Sequence, residues 1–401
     1  MADLTICLPT RNRQRYCIET IRAIAASDAQ DFEVIVADNS DDGSILARFF
    51  ADEFEDDRFR LLAPSDRVLS MVDNWERTME QASGRWISFI GDDDYIDPRV
   101  TGLIRRYERL YPDVEAVSWN RMSFNWPDNR PTATLASVPI SFATVVANKA
   151  DLQERLFRWS EGRRRPAAGF GIYHGAIKRG LMERIKRKFG GRYFEHPNVD
   201  YENCCKVIAA GKTLVHCQRP FSVLGACAAS NSAGAQSLQV MMERTRIFLA
   251  ETTDNVPTEH PDFPFPISDN SVSICVSVAH TTFWFCTTYG HDLTGFPENF
   301  ARAAMDECAF ARSEEEHAIK TTAFRRGFAA WEGGKWAELF DPKPYPPGER
   351  TINEVSGLIA EMLYLREKLV EAETPGSFYQ FAEHAILPVE HVVSGARTFA
   401  R

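Results

Sequence analysis

The sequence holds no G-x-G-x-x-G and no G-x-x-x-x-G-K-[ST] run, so the glycine-rich phosphate cradles of dinucleotide-binding and P-loop proteins are not indicated. CxxC pairs are missing too. The nine cysteines are scattered and odd in number, which argues against a full disulfide framework and for a reducing, cytoplasmic setting. Cys204 and Cys205 read as packed thiols. Positive charge is in deficit: the formal net charge is −10 over 401 residues, which disfavours nucleic acid as a partner. Long uncharged apolar runs are lacking as well. The nearest is Ser271–Tyr289, but it carries His280 with many Ser and Thr, has no flanking Lys/Arg bias, and reads as a buried helix rather than a membrane span. An apolar strand, Leu4–Leu8, begins almost at once, so no signal peptide is expected.

What the chain does have is regular alternation over residues 1–120. Apolar runs at Leu4–Leu8, Phe32–Ala37, Arg58–Leu62, Trp86–Ile90 and Ala116–Trp119 predict strands. Helical spacing falls between them at Gln14–Ala26, Ile45–Phe54, Met71–Ala82 and after Pro98. Such alternation predicts right-handed βαβ crossovers and a mostly parallel sheet flanked by helices, an α/β fold. Residues 121–150 look loop-like. After about residue 235 the pattern turns helical, with helices expected at Gln236–Thr252, Asp269–Tyr289, Pro297–Ile319 and Thr351–Glu371. The domain reading is therefore 1–235, with a donor half (1–120) and an acceptor half (121–235), followed by an all-helical region at 236–401.

Three polar clusters follow strands: Pro9-Thr10-Arg11-Asn12, then Asp38-Asn39-Ser40-Asp41-Asp42-Gly43, then Asp92-Asp93-Asp94. Ligands in open α/β sheets bind beyond the carboxyl ends of the strands, so the three clusters should meet at one edge. Adjacent carboxylates raise one another's pKa, and a hard cation relieves that cost, although an acidic turn uses the same residues.

The order "LTICLPTRNR", "FEVIVADNSDDGS", "ASGRWISFIGDDDYIDP" resembles glycosyltransferase family 2, whose members have the GT-A fold and are inverting sugar transferases. The resemblance is strong over the first 120 residues and looser to about residue 225. It implies a nucleotide-diphospho-sugar donor, held at Pro9, Thr10, Arg11, Asp38, Asn39 and Asp92, and Mn2+ or Mg2+ at Asp92, Asp93 and Asp94. Aligned on Pro98, the first acid of the family's metal motif is replaced by Gly91, and the central one is Asp93. The family's Glu-Asp motif, which supplies the general base at a helix start, is matched by Asp200 with Val199 in place of the Glu. Asp200 is the candidate base, Glu202 the reserve. An Asp opening a helix also serves as an N-cap.

The implied activity is metal-dependent, inverting transfer to an acceptor hydroxyl of a glycan, a lipid-linked molecule or a small molecule, as in surface polysaccharide or glycoconjugate synthesis. The alternatives are a non-catalytic sugar-nucleotide binder and a sugar-nucleotide pyrophosphorylase. The second is disfavoured because the loop after the first strand has no glycine. Basic groups at Arg163-Arg164-Arg165 and Lys178–Lys188 read as solvated faces or as an anionic patch, which leaves peripheral membrane contact open. Homo-oligomerisation is left open too. His174, His196 and His216 lie in the half where a third metal ligand would come from.

Overall fold

The computed structural model describes residues 2–129, 135–160, 165–167, 169–230, 238–252, 256–267, 273–346, 356–366 and 371–395. The first half alternates as expected: β1 (Leu4–Thr10), α1 (Gln14–Ala25), β2 (Phe32–Asp38), α2 (Ser44–Arg48), β3 (Phe59–Leu61), α3 (Met71–Glu80), β4 (Trp86–Phe89), β5 (Tyr95–Ile96) and α4 (Val100–Leu110). Next come β6 (Val114–Asn125), β7 (Leu135–Pro139), β8 (Thr144–Val146), α5 (Lys149–Phe157), β9 (Gly175–Lys178), α6 (Arg179–Lys188), α7 (Val199–Ala210) and β10 (Thr213–Ala226). The remainder comprises α8 (Leu238–Ala250), α9 (Ile274–Tyr289), α10 (Phe296–Ala309), α11 (Glu314–Ala330), β11 (Gly357–Ile359), β12 (Met362–Arg366), α12 (Pro375–Glu383) and α13 (Val389–Ser394).

The strands form one mixed sheet in the order β11-β12-β7-β6-β9-β4-β1-β2-β3, with β10 joining β5, β6 and β8. β1 runs parallel to β2 and β4, in a register that sets Thr10 beside Asp38. β1 reads LTICLPT because it is buried on both faces, as central parallel strands are. One apolar layer packs α1, α4, α12 and α13 on the sheet, and a second packs α3, α6 and α7 on the opposite face. A third core, built on Phe263, Phe265, Phe300, Phe328 and Trp331, belongs to α9–α11.

Several expectations need correction. Residues 121–150 are not mainly loop, since β6 continues to Asn125 and β7 and β8 follow. The C-terminal part is helical over α8–α11 but not throughout. The helix expected at Thr351–Glu371 is a hairpin over its described residues, while 351–355 and 367–370 lie outside them. Ala360 takes φ +53° at the turn, and Met362–Arg366 pair antiparallel with Leu135–Pro139. An apolar spacing of Leu358, Ile359, Met362 and Leu363 suits either conformation, and the open edge of β7 decides in favour of strand. The expected Pro297–Ile319 helix is two helices, because Ser313 caps α11 by accepting from Glu316 N. The apolar run does form a buried helix, α9, capped by Ser273 and ended by Gly290 at φ +70°. Among the described residues no helix is long and apolar enough to cross a membrane. All nine cysteines are buried thiols.

Candidate active site

The three polar clusters do converge. Thr10 Oγ1 donates to Asp92 Oδ2 at 2.6 Å, Arg11 donates to the Asn39 carbonyl at 2.8 Å, and Asn12 donates to Asp41. Asp38 caps its own turn through Oδ1, which accepts from Ser40 N, while Oδ2 is buried with no hydrogen-bond partner. An orphan acceptor on the last residue of a strand is one that a ligand donor would satisfy. Asn39 is spent on the scaffold: its amide brackets Leu69, donating to the carbonyl and accepting from the N–H. Arg11 is paired with Glu251 and Asp41, and Pro9 lies within β1.

The acidic stretch is buried, with Asp92, Asp93 and Asp94 each no more than 5% exposed. The three carboxylates point at different partners. Asp94 accepts from Gly91 N (2.9 Å), Tyr173 Oη (2.6 Å), His174 (3.1 Å) and Gly225 N (2.7 Å). Burial works to raise its pKa, but His174 and these donors outweigh burial and hold it below the usual range. Gly91 is dictated here, because a Cβ would meet Asp94 Oδ2 at 2.6 Å. No acid can stand at that position while Asp94 folds back on it. Asp93 accepts from Ser230 Oγ and from Cys227 N at 3.3 Å, and its carbonyl accepts from Trp126. Asp92 is reached by Arg13, with Nη2 2.6 Å from Oδ1 and Nε 3.1 Å from Oδ2. Burial raises Asp92 to about 7 despite that guanidinium, with Asp93 and Asp94 adding to the rise.

Of the three carboxylates expected to hold the metal, Asp94 is the one engaged by protein donors on both oxygens. Among the described residues no group of three or more His, Cys, Asp or Glu side chains could hold a metal ion. The remaining donor set, Asp92 and Asp93, is all oxygen and fits a hard divalent cation in chemistry, but Arg13 now stands against it.

On the acceptor side, Asp200 sits in the first turn of α7, and its Oδ1 accepts from Tyr201 N at 2.9 Å. It is not the helix N-cap; Asn198 is. Burial raises its pKa against the pull of that N–H and of Arg121 and Arg165. Arg121 also acts on Tyr173, the residue bonded to Asp94. Asn203 of α7 accepts from Ile172 N, tying the helix to the loop that carries Tyr173 and His174. Glu202 is not brought to the site. It is fully buried and ion-paired with Lys206 at 2.5 Å, which in turn holds Glu195. The reason is helical geometry: Glu202 lies two positions from Asp200 and so faces another way.

The other candidates separate similarly. His174, at φ +53°, bonds Asp94 and Ser222, whereas His196 pairs with His280 and His216 with Ser118. Gly175 permits close backbone packing, since a Cβ there would strike the Gly171 carbonyl. On the basic face of α6, Arg184 pairs with Glu115 and Lys186 with Glu80. Arg163 and Arg164 lie outside the described residues. Sequence reasoning missed Arg13, Tyr173, Ser230 and Arg244. Arg13 had a signal, as the last residue of the first polar turn. Tyr173 had one too, as an aromatic in the glycine-rich segment 167–175, while Ser230 and Arg244, brought in from remote segments, gave none.

The strand ends thus bring together an orphan carboxylate oxygen and a buried acidic turn, with a separate carboxylate of raised pKa on α7. Residues 5–167 match the family model described as glycosyl transferase family 2, so the resemblance read from the sequence is borne out over that stretch. A curated relative, the GalNAc(5)-diNAcBac-PP-undecaprenol beta-1,3-glucosyltransferase of Campylobacter jejuni, is 31% identical over 96 residues, which is 23% of this chain. The match covers 30% of that protein's own length. Among solved structures, S. aureus TarS 1-349 in complex with UDP-GlcNAc is 14% identical with TM-score 0.45, covering 85% of this chain and 89% of that one. The mannosyltransferase PcManGT from Pyrobaculum calidifontis, in complex with GDP-Man and Mn2+, is 17% identical with TM-score 0.38, covering 84% and 83%.

Proposed function

We propose that the protein is an inverting glycosyltransferase that moves a sugar from a nucleotide-diphospho-sugar to an acceptor hydroxyl. The observation that carries the reading is the meeting of Thr10, Asp38 and the acidic turn at one sheet edge, with Asp200 on a helix tied to the same loop as Tyr173. Asp38 Oδ2 takes a donor from the nucleoside, and Thr10 fixes Asp92 for the diphosphate. Asp200 accepts the proton of the attacking hydroxyl as its oxygen bonds to the anomeric carbon and the nucleoside diphosphate leaves from the opposite face. Its raised pKa suits that task, because a carboxylate held by few donors is a stronger base. Asp92 and Asp93 are the residues that would hold a divalent cation, which would supply charge neutralisation of the leaving diphosphate.

Calorimetry with a panel of nucleotide sugars, with Mn2+ and with EDTA, tests donor binding. A product assay on candidate acceptors tests transfer. Binding of no nucleotide sugar under either condition sinks the proposal. Binding that EDTA leaves unchanged removes the cation from it.

A further inference from the structure

Arg13 is the basic side chain set directly against the acidic pair. Its guanidinium touches Asp92 twice and stands 3.4 Å from Asp93 Oδ1. The backbone holds it there: Arg13 is the N-cap of α1, and its carbonyl accepts from Tyr16 and Cys17 N–H groups. Yet one oxygen of each acid is poorly saturated. Asp92 Oδ1 has the guanidinium at 2.6 Å but no aligned hydrogen bond, and the Asp93 contact is long. The hold is charge more than geometry. A second arginine lies close by. Arg244 of α8 donates through Nη2 to the Ala228 carbonyl, and its Nη1 is buried with no hydrogen-bond partner. The carbonyl it holds belongs to the residue next to Cys227, whose N–H donates to Asp93, so Arg244 is anchored one residue from the acidic pair's own partner. A buried guanidinium nitrogen left without a partner is costly, and a phosphate oxygen is the group that satisfies an arginine's planar donors.

We propose that Arg13 is the resident counter-ion of Asp92 and Asp93 and, with Arg244, the seat of the donor's diphosphate. A divalent cation takes over the carboxylates, and the released guanidinium joins Arg244 on the phosphate oxygens. The phosphate half of the proposal rests on the nucleotide-sugar reading above; the counter-ion half does not.

The test is calorimetry with Mn2+ alone, then with UDP and with GDP in the presence of Mn2+, on folded wild type, Arg13→Gln, Arg13→Lys and Arg244→Gln. Arg13→Gln should bind Mn2+ alone roughly tenfold tighter or more, since the competing charge is gone. The same variant should bind the nucleoside diphosphate about 10- to 100-fold more weakly. Arg244→Gln touches no carboxylate, so Mn2+ affinity should hold while nucleotide affinity falls. Arg13→Lys guards against misfolding: it keeps the charge and loses the fork, so Mn2+ affinity should stay within about threefold and diphosphate affinity should fall. Unchanged or weaker Mn2+ binding by folded Arg13→Gln overturns the counter-ion role. Unchanged diphosphate binding by both glutamine variants overturns the seat. If wild type binds neither UDP nor GDP while Arg13→Gln still tightens Mn2+, the nucleotide reading and the seat fall together and the counter-ion role is upheld.

Discussion

Asp94 and Asp200 are the same chemical group in opposite circumstances. Asp94 is enclosed by four donors from three separate segments, and its pKa is lowered although burial opposes this. Asp200 has one backbone N–H at hydrogen-bond distance and two arginines acting from further off, and burial prevails to raise its pKa. A carboxylate with every lone pair engaged is a fastener. One left short of donors retains affinity for a proton and can do chemistry. Asp38, with one oxygen capped and the other orphaned, stands between them.

The comparison is broken most severely at Asp200. Asp200→Asn should cut transfer by about 10²–10⁴-fold while leaving nucleotide affinity and melting temperature near wild type. Full activity in that variant places the base elsewhere. Because the pKa of Asp200 is raised, the rate should climb with pH through a value above the ordinary Asp range, a limb that Asp200→Asn abolishes. Asp94→Ala should do the reverse, destabilising the fold by about 3–5 kcal/mol by stranding His174 and the buried amides. A denaturant titration measures it, and a loss below about 1 kcal/mol would mean the four donors find water. Asp38→Ala should weaken nucleotide binding roughly tenfold at a cost of no more than about 1 kcal/mol in stability, since Oδ2 has no partner to abandon and Oδ1 only the Ser40 N–H. Equal affinity in calorimetry would remove Asp38 from the site.

The smallest effect concerns the neutral histidines under α7. Burial depresses His280 to about 3 and His196 well below its ordinary value. The unfolded chain therefore binds protons first, so their contribution is complete above about pH 6.5 and is lost as pH falls toward 3. Each costs at most about 1.4 kcal/mol per pH unit in that window. His280→Gln should flatten the acid limb of the stability profile, and an unaltered slope would show that His280 does not titrate there.

The donor edge was legible in the sequence because strand ends are local events: an apolar run stops, and a polar turn follows at a definable position. Thr10, Asp38 and Asp93 could be named for that reason. The partners of the acidic turn could not. Tyr173, His174, Gly225 and Ser230 reach it across 79 to 137 residues of sequence, and no periodicity encodes such separations. Three neighbouring acids read as a cage in the sequence, and nothing local announced the donors from three segments that engage Asp94. Glu202 lies two positions from Asp200 on a helix, a rotation that sequence records but that matters only once one face is known to pack against Lys206. The hairpin at Gly357–Arg366 was hidden because its apolar spacing satisfies both periods.

The return of α12 to the sheet bears on how the polypeptide is made. Tyr379 donates to Asp97 across 282 residues, and Arg219 meets both Tyr379 and Glu383. Phe378 stacks on Phe124, and Gly376 lies so close to Ala23 that a Cβ there would approach to 2.4 Å. Domains generally fold as they leave the ribosome, amino end first. Here the acidic turn's own flank cannot be finished until residue 379 has emerged, so the nascent donor half waits, one face bare, for most of its translation. A stalled or truncated product would leave Phe124 and Tyr95 uncovered, a target for chaperones rather than a smaller working enzyme.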